Sequence, residues 1–173
     1  TNIPKLNLRT WENRYSYLIP LRTETNIRVY NDDLLVRGIN TKLLLENGHK
    51  ISKVSKMNDQ EIQLAIERIG QSDNKDIKVS YYLNNFIISA INFDEYKFNR
   101  LFIKALNEFD FIVFYKVIIL PLLQRVGLLW LTNKMSPSQE HFLSELIKQK
   151  LYTLIDRTAI THTAKEKWLL FLP

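Results

Sequence analysis

Apolar and polar residues follow each other along the first part of the chain with the spacing of an amphipathic helix. Leu35, Ile39 and Leu43 recur every four residues and therefore share one helix face. The Asn-Asp-Asp run at 31–33 offers side-chain oxygens that cap a helix start, and the Asn-Gly pair at 47–48 supplies a left-handed stop. The pattern predicts a helix between these two signals.

Shorter elements surround this helix. Residues 4–15 have helix-forming character, and the β-branched residues of 22–30 flank a Thr-Asn turn, which predicts a small hairpin or wing. Residues 51–56 are predicted as a short helix, and Asn58 with Glu61 forms a capping-box pattern that opens another helix. The N-terminal part is therefore predicted as short helices around one hairpin.

The second half of the chain is more apolar, and its pattern changes after the polar, turn-rich stretch 70–76. The helices predicted there are 78–91, 94–108, 111–130 with a disturbance at Pro121, and 137–157. Long helices joined by short loops pack as an up-down bundle, since only mutual burial hides their wide apolar faces. The predicted fold class is mainly α, with a four-helix bundle after the small N-terminal domain. The predicted domains are 1–70 and 76–160, followed by a linker at 161–173.

Composition supports a helical globular protein and argues against other classes. Only four Gly and five Pro stand among 173 residues, which disfavours disorder and many-turned β architectures. Cysteine is absent, so disulfides and thiolate chemistry are excluded, and a cytoplasmic location is expected. The apolar run 111–131 contains Lys116, Pro121, Gln124 and Arg125. Its uninterrupted part is too short to cross a bilayer, and no membrane partner is expected.

The positive charge is concentrated near the N-terminus. Residues 1–56 carry ten Lys or Arg against five Asp or Glu, whereas 57–173 carry fourteen against thirteen. A phosphate-binding surface needs such a concentration, because each neutralised phosphate releases counterions. A basic surface that only keeps a protein soluble has the same net charge. Charge alone leaves both interpretations open.

No enzyme pattern accompanies these features. The histidines at 49, 141 and 162 lack metal-binding spacing, and the sequence has no Gly-rich phosphate loop and no nucleophile elbow. Glu140 and His141 are adjacent, about 100° apart on a helix, and do not easily chelate one ion. A protein without catalytic residues and without a metal site is expected.

A basic helix followed by a wing is suited to binding DNA. Side chains of the first helix can reach base edges or phosphates in a major groove roughly 12 Å wide, while wing residues hold neighbouring phosphates and fix the register. Exposed N–H groups at the start of a later short helix can also hold phosphate. Trp11 is open to two roles, core or contact. The candidate DNA-binding residues are Arg9, Asn13, Arg14, Arg22, Thr23, Arg28, Tyr30, Lys50, Ser52 and Lys53.

The order of these segments resembles the MerR family of transcriptional regulators. The resemblance rests on Asn7-Leu-Arg-Thr-Trp-Glu-Asn-Arg-Tyr15, then Pro20-Leu-Arg-Thr23, then Asn26-Ile-Arg-Val-Tyr30. It implies a winged helix-turn-helix in which the first segment is the recognition helix, the Arg-x-Tyr segment is the wing, and 48–53 leads a second helix pair. The implied partner is double-stranded promoter or operator DNA. Residues 1–4 resemble the turn that precedes the recognition helix, so the family's first helix is expected to be missing, which would weaken DNA binding.

A second resemblance lies in the predicted bundle. The segments 117–130 and 136–141 are similar to the helical cap of cobalamin-binding regulators of the CarH and LitR type. The shared pattern is a Trp, nine residues, and then Glu-His. The resemblance implies that Trp130, Glu140 and His141 lie over the upper face of a corrin. Leu131 stands where the light-sensing members carry a His.

These three residues also admit plainer interpretations. Trp130 alone would be a bundle-core residue, and Glu140 with His141 would be a structural contact at a helix start. Glu140 is in line with Leu143 and Ile147, which predicts a carboxylate on the core-facing stripe that needs a partner. The Ser-Pro-Ser-Gln sequence at 136–139 offers an N-cap, a proline at the first helical position and a capping-box glutamine. It therefore predicts where that helix begins.

The domain that holds the corrin in such regulators, with its Asp-x-His-x-x-Gly motif, is not found in the sequence. No cofactor is therefore expected in this chain, while adenosylcobalamin is possible in a full-length protein toward which 161–173 would lead. Self-association as a dimer or tetramer is expected. Two alternatives remain: the helical cap of a cobalamin-dependent methyltransferase, against which the basic wing argues, and a regulator whose bundle only mediates oligomerisation.

Overall fold

The computed structural model describes residues 3–132 and 134–157, so the predicted linker at 161–173 lies outside the described residues. Within those ranges the protein is mainly helical, with one short antiparallel hairpin. We call residues 3–69 the N-terminal lobe and residues 75–157 the bundle. The predicted fold class, mainly α with a wing near the N-terminus, is confirmed.

The N-terminal lobe contains the elements predicted from the sequence. They are α1 Lys5–Tyr15, β1 Leu21–Arg22, β2 Arg28–Val29, α2 Asp32–Glu46, α3 Ile51–Val54 and α4 Asp59–Ile69. The hairpin pairs Leu21 with Val29 and Arg22 with Arg28. Asn26 takes a left-handed conformation in the connecting turn, with φ of 62°, which asparagine tolerates better than most residues.

Side-chain caps begin helices α2 and α4 of this lobe. Asn31 Oδ1 accepts a hydrogen bond from the Leu34 amide at 3.0 Å. Asn58 and Glu61 form the predicted reciprocal capping box, with N···O distances of 2.9 and 2.8 Å. Such caps satisfy amides that have no partner inside the helix, which is why polar residues precede the apolar periodicity at both sites.

The bundle contains α5 Lys75–Ile91, α6 Glu95–Glu108, α7 Phe111–Phe114, a π-helical segment Tyr115–Ile119, α8 Leu120–Leu131 and α9 Pro137–Asp156. Helix α5 begins three residues earlier than predicted. Asn74 Oδ1 accepts hydrogen bonds from the Asp76 and Ile77 amides at 2.9 and 3.3 Å, which places the cap inside the polar stretch. The last two residues of the stretch predicted as a loop, Lys75 and Asp76, are therefore helical.

The disturbance predicted at Pro121 takes the form of the π-helical segment that precedes it. A proline lacks the amide hydrogen of a helical residue, and its ring crowds the carbonyl four residues earlier, here that of Val117. A wider π turn relieves this crowding without ending the helix. Phe111–Leu131 is also long and apolar enough, by length and composition, to cross a membrane. Its inner stripe is buried in the bundle at Phe114, Ile118 and Leu122.

One continuous apolar core extends through both lobes. Helix α5 lies at its centre and packs against α2 and α4 of the N-terminal lobe as well as α6, the π segment, α8 and α9. The stretch predicted as a domain boundary is a connecting loop at 70–74. The lobes on either side of it nevertheless share their interior, and the division into domains at 1–70 and 76–160 stays a prediction.

A buried carboxamide also joins the lobes. Gln139 Oε1 accepts a hydrogen bond from the Ser136 amide at 3.1 Å, as the predicted capping box requires. Gln139 Nε2 donates to the Ile91 carbonyl at 3.2 Å and to Asp32 Oδ2 at 3.3 Å. Because Asp32 is the first residue of α2, the start of α9 is fixed to the helix that follows the wing.

Candidate functional site

Helix α1 separates a buried anchor from an exposed basic face. Trp11 is buried in the core, which decides between the two roles that the sequence left open. Arg9, Asn13 and Arg14 are all exposed. The helix therefore presents three hydrogen-bonding side chains to solvent while one aromatic side chain holds it against the lobe.

The turn after α1 fixes the direction of this helix. Ser16 ends α1 in a left-handed conformation, with φ of 49°. The hydroxyl of the buried Tyr17 lies 2.7 Å from Thr41 Oγ1 of α2, and the Arg37 guanidinium lies 5.2 Å from the centre of the Tyr17 ring. These contacts hold α1 to α2 through side chains that are shielded from water.

Glu12 ties the wing to α1. Its carboxylate accepts a hydrogen bond from Arg28 Nε at 2.7 Å and another from Arg22 Nη2 at 2.5 Å. The hydrogen bond from Arg28 and that from Arg22 hold the pKa of Glu12 below its ordinary value. Nothing in the local sequence singles out Glu12, because its two partners come from the hairpin and only the tertiary structure brings them together.

The other predicted wing residues have different environments. Thr23 Oγ1 accepts a hydrogen bond from the Ile27 amide at 3.0 Å, so this hydroxyl shapes the turn. Arg22 Nη1 donates to Asn26 Oδ1 at 2.8 Å. Tyr30 is half-buried beside the start of α2. A guanidinium has five N–H donors, so Arg22 and Arg28 keep donors beyond those that Glu12 takes.

Helix α3 presents the remaining predicted DNA-binding residues. Lys50, Ser52 and Lys53 are exposed, while Val54 is buried and anchors this short helix. Helix α3 packs against α2, the same helix that holds the turn after α1. Helix α2 thus supports α3 directly and α1 through the turn that follows it, while the wing is held to α1 by Glu12.

The second group of predicted residues lies where α8 ends and α9 begins. Trp130 is 49% exposed, so it is not a bundle-core residue. Its neighbours Leu128 and Leu131 are also exposed. Exposed large apolar side chains next to one another are typical of a contact surface, and this end of α8 therefore offers an apolar face to a partner or ligand.

Glu140 and His141 contact each other at the first turn of α9. The distance from His141 Nδ1 to Glu140 Oε2 is 2.6 Å, the structural contact that the sequence left open. Glu140 lies at the rim of the core, with a side chain that is 26% exposed, while Leu143 and Ile147 further along are buried. Glu140 is therefore partly buried beside the core, and the partner that the sequence required for it is the neighbouring His141.

This contact leaves one imidazole nitrogen available. When Nδ1 donates its hydrogen to a carboxylate, Nε2 of a neutral ring carries the lone pair and can accept a hydrogen bond or bind an electrophile. His141 is 75% exposed in its side chain. The site thus combines an aromatic face with an oriented imidazole. Among the described residues, no three His, Asp or Glu side chains come together as a metal site.

Comparisons with known proteins agree with this geometry. Residues 1–61 match the family described as MerR HTH family regulatory protein, and residues 82–155 match the family described as B12 binding domain. The chain joins a MerR helix-turn-helix domain to a B12-binding-type helical domain. The family and fold predicted from the sequence are thereby confirmed.

The chain is also similar to a characterised regulator. The HTH-type transcriptional repressor CarH of Myxococcus xanthus is 24% identical over 151 residues, which is 86% of this chain and 50% of CarH. The chain therefore spans half the length of this relative. The ten candidate DNA-binding residues fall inside the MerR match, and Trp130, Glu140 and His141 fall inside the B12 binding match.

The outer face of the bundle fits the group that the B12 binding match implies. A corrin is a broad ring with an apolar body and polar edges, and sites for such ligands combine an apolar surface with a few placed polar groups. The exposed Trp130 and the leucines before and after it supply the apolar surface, and the Glu140–His141 pair supplies the polar groups.

Proposed function

We propose that the N-terminal lobe binds double-stranded promoter DNA in a sequence-specific manner, and that the bundle caps a cobalamin effector in the full-length regulator. The observation that carries the first part is the exposed row of Arg9, Asn13 and Arg14 on a helix anchored by Trp11. The second part rests on the exposed Trp130 at the end of α8 and on the Glu140–His141 pair in the first turn of α9. We expect such a regulator to act in the cytoplasm and to have no enzymatic activity.

For DNA, α1 supplies base contacts and the wing supplies phosphate contacts. Arginine and asparagine are the side chains that form paired hydrogen bonds with guanine and adenine in the major groove. The Glu12 carboxylate orients Arg22 and Arg28 before DNA arrives, which reduces the entropy lost on binding. The lysines of α3 add neighbouring phosphate contacts, which fix position and not sequence.

The salt dependence of binding tests the wing. We expect Arg28→Ala to weaken binding to all DNA sequences. It should also lower by about one the slope of the logarithm of the binding constant against the logarithm of the salt concentration, here called the salt slope. Fluorescence anisotropy on promoter and unrelated duplexes measures both. Lys116→Ala, which removes an exposed cation from the π segment, is the matched control and should leave the slope unchanged. An unaltered slope for Arg28→Ala would remove Arg28 from the phosphate contacts. Failure of the intact protein to bind its own promoter at low salt would overturn the DNA-binding proposal.

For cobalamin, the residues of this chain hold and shield one face of the ring. Trp130 would pack against a bound cobalamin, while Glu140 would hold the Nδ1 side of His141 and leave Nε2 available to the bound group. Cobalamin itself supplies the cobalt-centred ligand chemistry when bound. Leu131 offers no imidazole at the position next to Trp130, so we expect no replacement ligand from that residue.

Retention of a corrin spectrum tests the cap. The full-length protein is mixed with adenosylcobalamin in the dark and in light, passed through gel filtration, and inspected for corrin absorbance. We expect retention by wild type, a loss of affinity of about tenfold or more in Trp130→Ala, and no change in the control Tyr152→Ala, whose ring is exposed on α9. Equal retention by Trp130→Ala would exclude this residue from the site.

A second candidate role for the bundle is oligomerisation without an effector. Phe111, Ile112 and Val113 at the start of the long apolar segment are exposed and would suit a contact with another copy of the chain. An intact protein that forms dimers or tetramers but retains no corrin would favour this candidate.

A further inference from the structure

A cavity of about 800 Å³ lies between α4 of the N-terminal lobe and α5 and α6 of the bundle. Its volume is in the range of small-molecule sites. None of the residues proposed for DNA or cobalamin binding lines it. Its lining residues are Gln63, Glu67, Gln71, Tyr81, Asn85, Asp94, Tyr96, Lys97, Arg100, Leu101, Ile103, Lys104 and Asn107.

Helix α6 directs three cations to this cavity. Lys97, Arg100 and Lys104 are three and four residues apart and therefore share one helix face. Within the described ranges, neither Lys97 nor Arg100 has a carboxylate within 4.0 Å, and Lys104 has only Glu108, at 3.9 Å. Burial lowers the pKa of Lys97, so this ammonium has lost water without gaining an ion-pair partner.

Aromatic rings and an open acceptor complete the walls. The Lys104 ammonium lies 5.2 Å from the centre of the Tyr81 ring, and the Arg100 guanidinium lies 5.7 Å from that of Tyr96. Asn85 is only 2% exposed, and its Nδ2 donates to the Tyr81 carbonyl at 3.0 Å. Its Oδ1 accepts no hydrogen bond from any residue that the structure describes, although Asn85 lines the cavity.

The carboxylates near the cavity offset these cations only in part, since the charges of Asp94 and Glu67 raise the pKa of Lys97 while burial lowers it by more. Asp94 Oδ1 accepts a hydrogen bond from the Lys97 amide at 2.8 Å, as the cap of α6. Glu67 is on an exposed position of α4, and its Oε1 lies 3.3 Å from Gln63 Nε2. Both acids face the cavity, but neither forms an ion pair with Lys97 or Arg100, and a positive excess of one charge remains among the lining residues.

We propose that this cavity is a binding site for a small organic anion, a molecule carrying a carboxylate or phosphate group and a hydrogen-bond donor. The anionic group pairs with Lys97 and Arg100, and the donor reaches Asn85 Oδ1. The rings of Tyr81 and Tyr96 flank the rest of the molecule. Because α4 and α6 belong to different lobes, a bound anion joins the N-terminal lobe to the bundle. This site is independent of both proposed functions.

Two probes test the site on the same protein, inorganic phosphate and citrate, at an ionic strength held constant with sodium chloride. Binding is measured by calorimetry, and stability by thermal unfolding. We expect saturable binding of at least one probe at millimolar concentration and a raised Tm. Stronger binding of phosphate indicates a phosphate-bearing natural ligand, and stronger binding of citrate indicates a carboxylate.

Three variants assign the binding to the cavity. Lys97→Met replaces a half-buried cation that has no ion-pair partner among the described residues by an apolar side chain of similar length. The protein should therefore be at least as stable without anion and should lose the anion-dependent rise in Tm. Arg100→Gln should weaken binding about tenfold or more. The double variant Arg9→Gln/Arg14→Gln, on the DNA-facing helix, should bind the probes as wild type does. Unchanged binding by Lys97→Met, loss of binding in the α1 double variant, or no saturable binding up to tens of millimolar would each overturn the proposal.

Discussion

The two lobes share a core but are held together by different interactions. In the bundle, aromatic rings contact one another in series, with centroid distances of 5.2 Å for Phe86–Phe98, 5.9 Å for Phe98–Phe102 and 5.1 Å for Phe102–Phe114. In the N-terminal lobe, hydrogen bonds and ion pairs from Tyr17 and Glu12 hold the elements in place. A surface that meets DNA must keep polar side chains outside, so a small lobe has fewer apolar contacts to stabilise it.

This difference teaches that the N-terminal lobe depends on its neighbour. Its own apolar residues are only partly used, since Leu6, Ile19, Leu21 and Ile27 are exposed. Much of its stability comes instead from the packing of α2 and α4 on α5. We therefore expect changes in the bundle to affect the unfolding of both lobes, while changes in the wing should remain local.

The largest effect is expected in the aromatic series. Phe98 is fully buried between Phe86 and Phe102, and Phe98→Ala should lower the free energy of unfolding by about 3–5 kcal/mol. Urea denaturation is followed by circular dichroism and, with the tryptophans at 130 and 168 replaced by phenylalanine in all variants, by the fluorescence of Trp11 in the N-terminal lobe. The exposed Ile103 on the same helix is the control, and Ile103→Ala should change stability by no more than about 0.5 kcal/mol. Separate transitions for the two signals would contradict a shared core.

A smaller effect is expected where the connecting loop meets the bundle. A Cβ atom on Gly70 would lie 2.7 Å from the Tyr81 ring, and Gly70→Ala should destabilise the protein by about 1–3 kcal/mol. Gly127, inside α8, has no atom within 4 Å of its added Cβ. Gly127→Ala should therefore stabilise the helix by about 0.5–1 kcal/mol. If Gly70→Ala stabilises the protein as Gly127→Ala does, the Tyr81 ring is free to move away from the loop.

The smallest effect is a local release of the wing in acid. The pKa of Glu12 is lowered, first by the hydrogen bond from Arg28 and also by Arg22. The interaction of the Glu12 carboxylate with the two arginines therefore stabilises the wing fully when the pH is above 4.5, the ordinary pKa of glutamate. It weakens only as the pH falls through the lowered pKa of Glu12. The NMR signal of Arg28 Nε–H should shift in that acidic range, and Glu12→Gln should abolish the shift. Glu24→Gln, in the exposed hairpin turn, should leave it intact.

Local features of the fold were predictable from the sequence, and contacts between distant residues were not. The capping boxes at Asn58 and Ser136 were predicted because their partners lie three residues away. The two tryptophans show the limit of such reasoning. Trp11 is buried on a basic helix, while Trp130 is half-exposed on the most apolar one. The environment of a residue depends on what packs over it, and residue type alone does not decide this.

The same reasoning explains why the cavity and the Glu12 pairs were missed. Lys97, Arg100 and Lys104 have helical spacing, which by itself predicts only a solvated face. These cations line a cavity only because residues of α4 form its opposite wall, and the sequence has no local signal for that arrangement. The ten candidate DNA-binding residues were found from the basic helix and wing together with a family resemblance, and Trp130, Glu140 and His141 from a second resemblance. Their roles stay predictions.

The carboxamide of Gln139 has a mechanical consequence. It precedes Glu140 and His141, yet its donor group is shared between the end of α5 and the first residue of α2. A contact that tilts the first turn of α9 would either lengthen these two hydrogen bonds or move α2 together with α9. One connection from α9 to α2 is therefore a single side chain long.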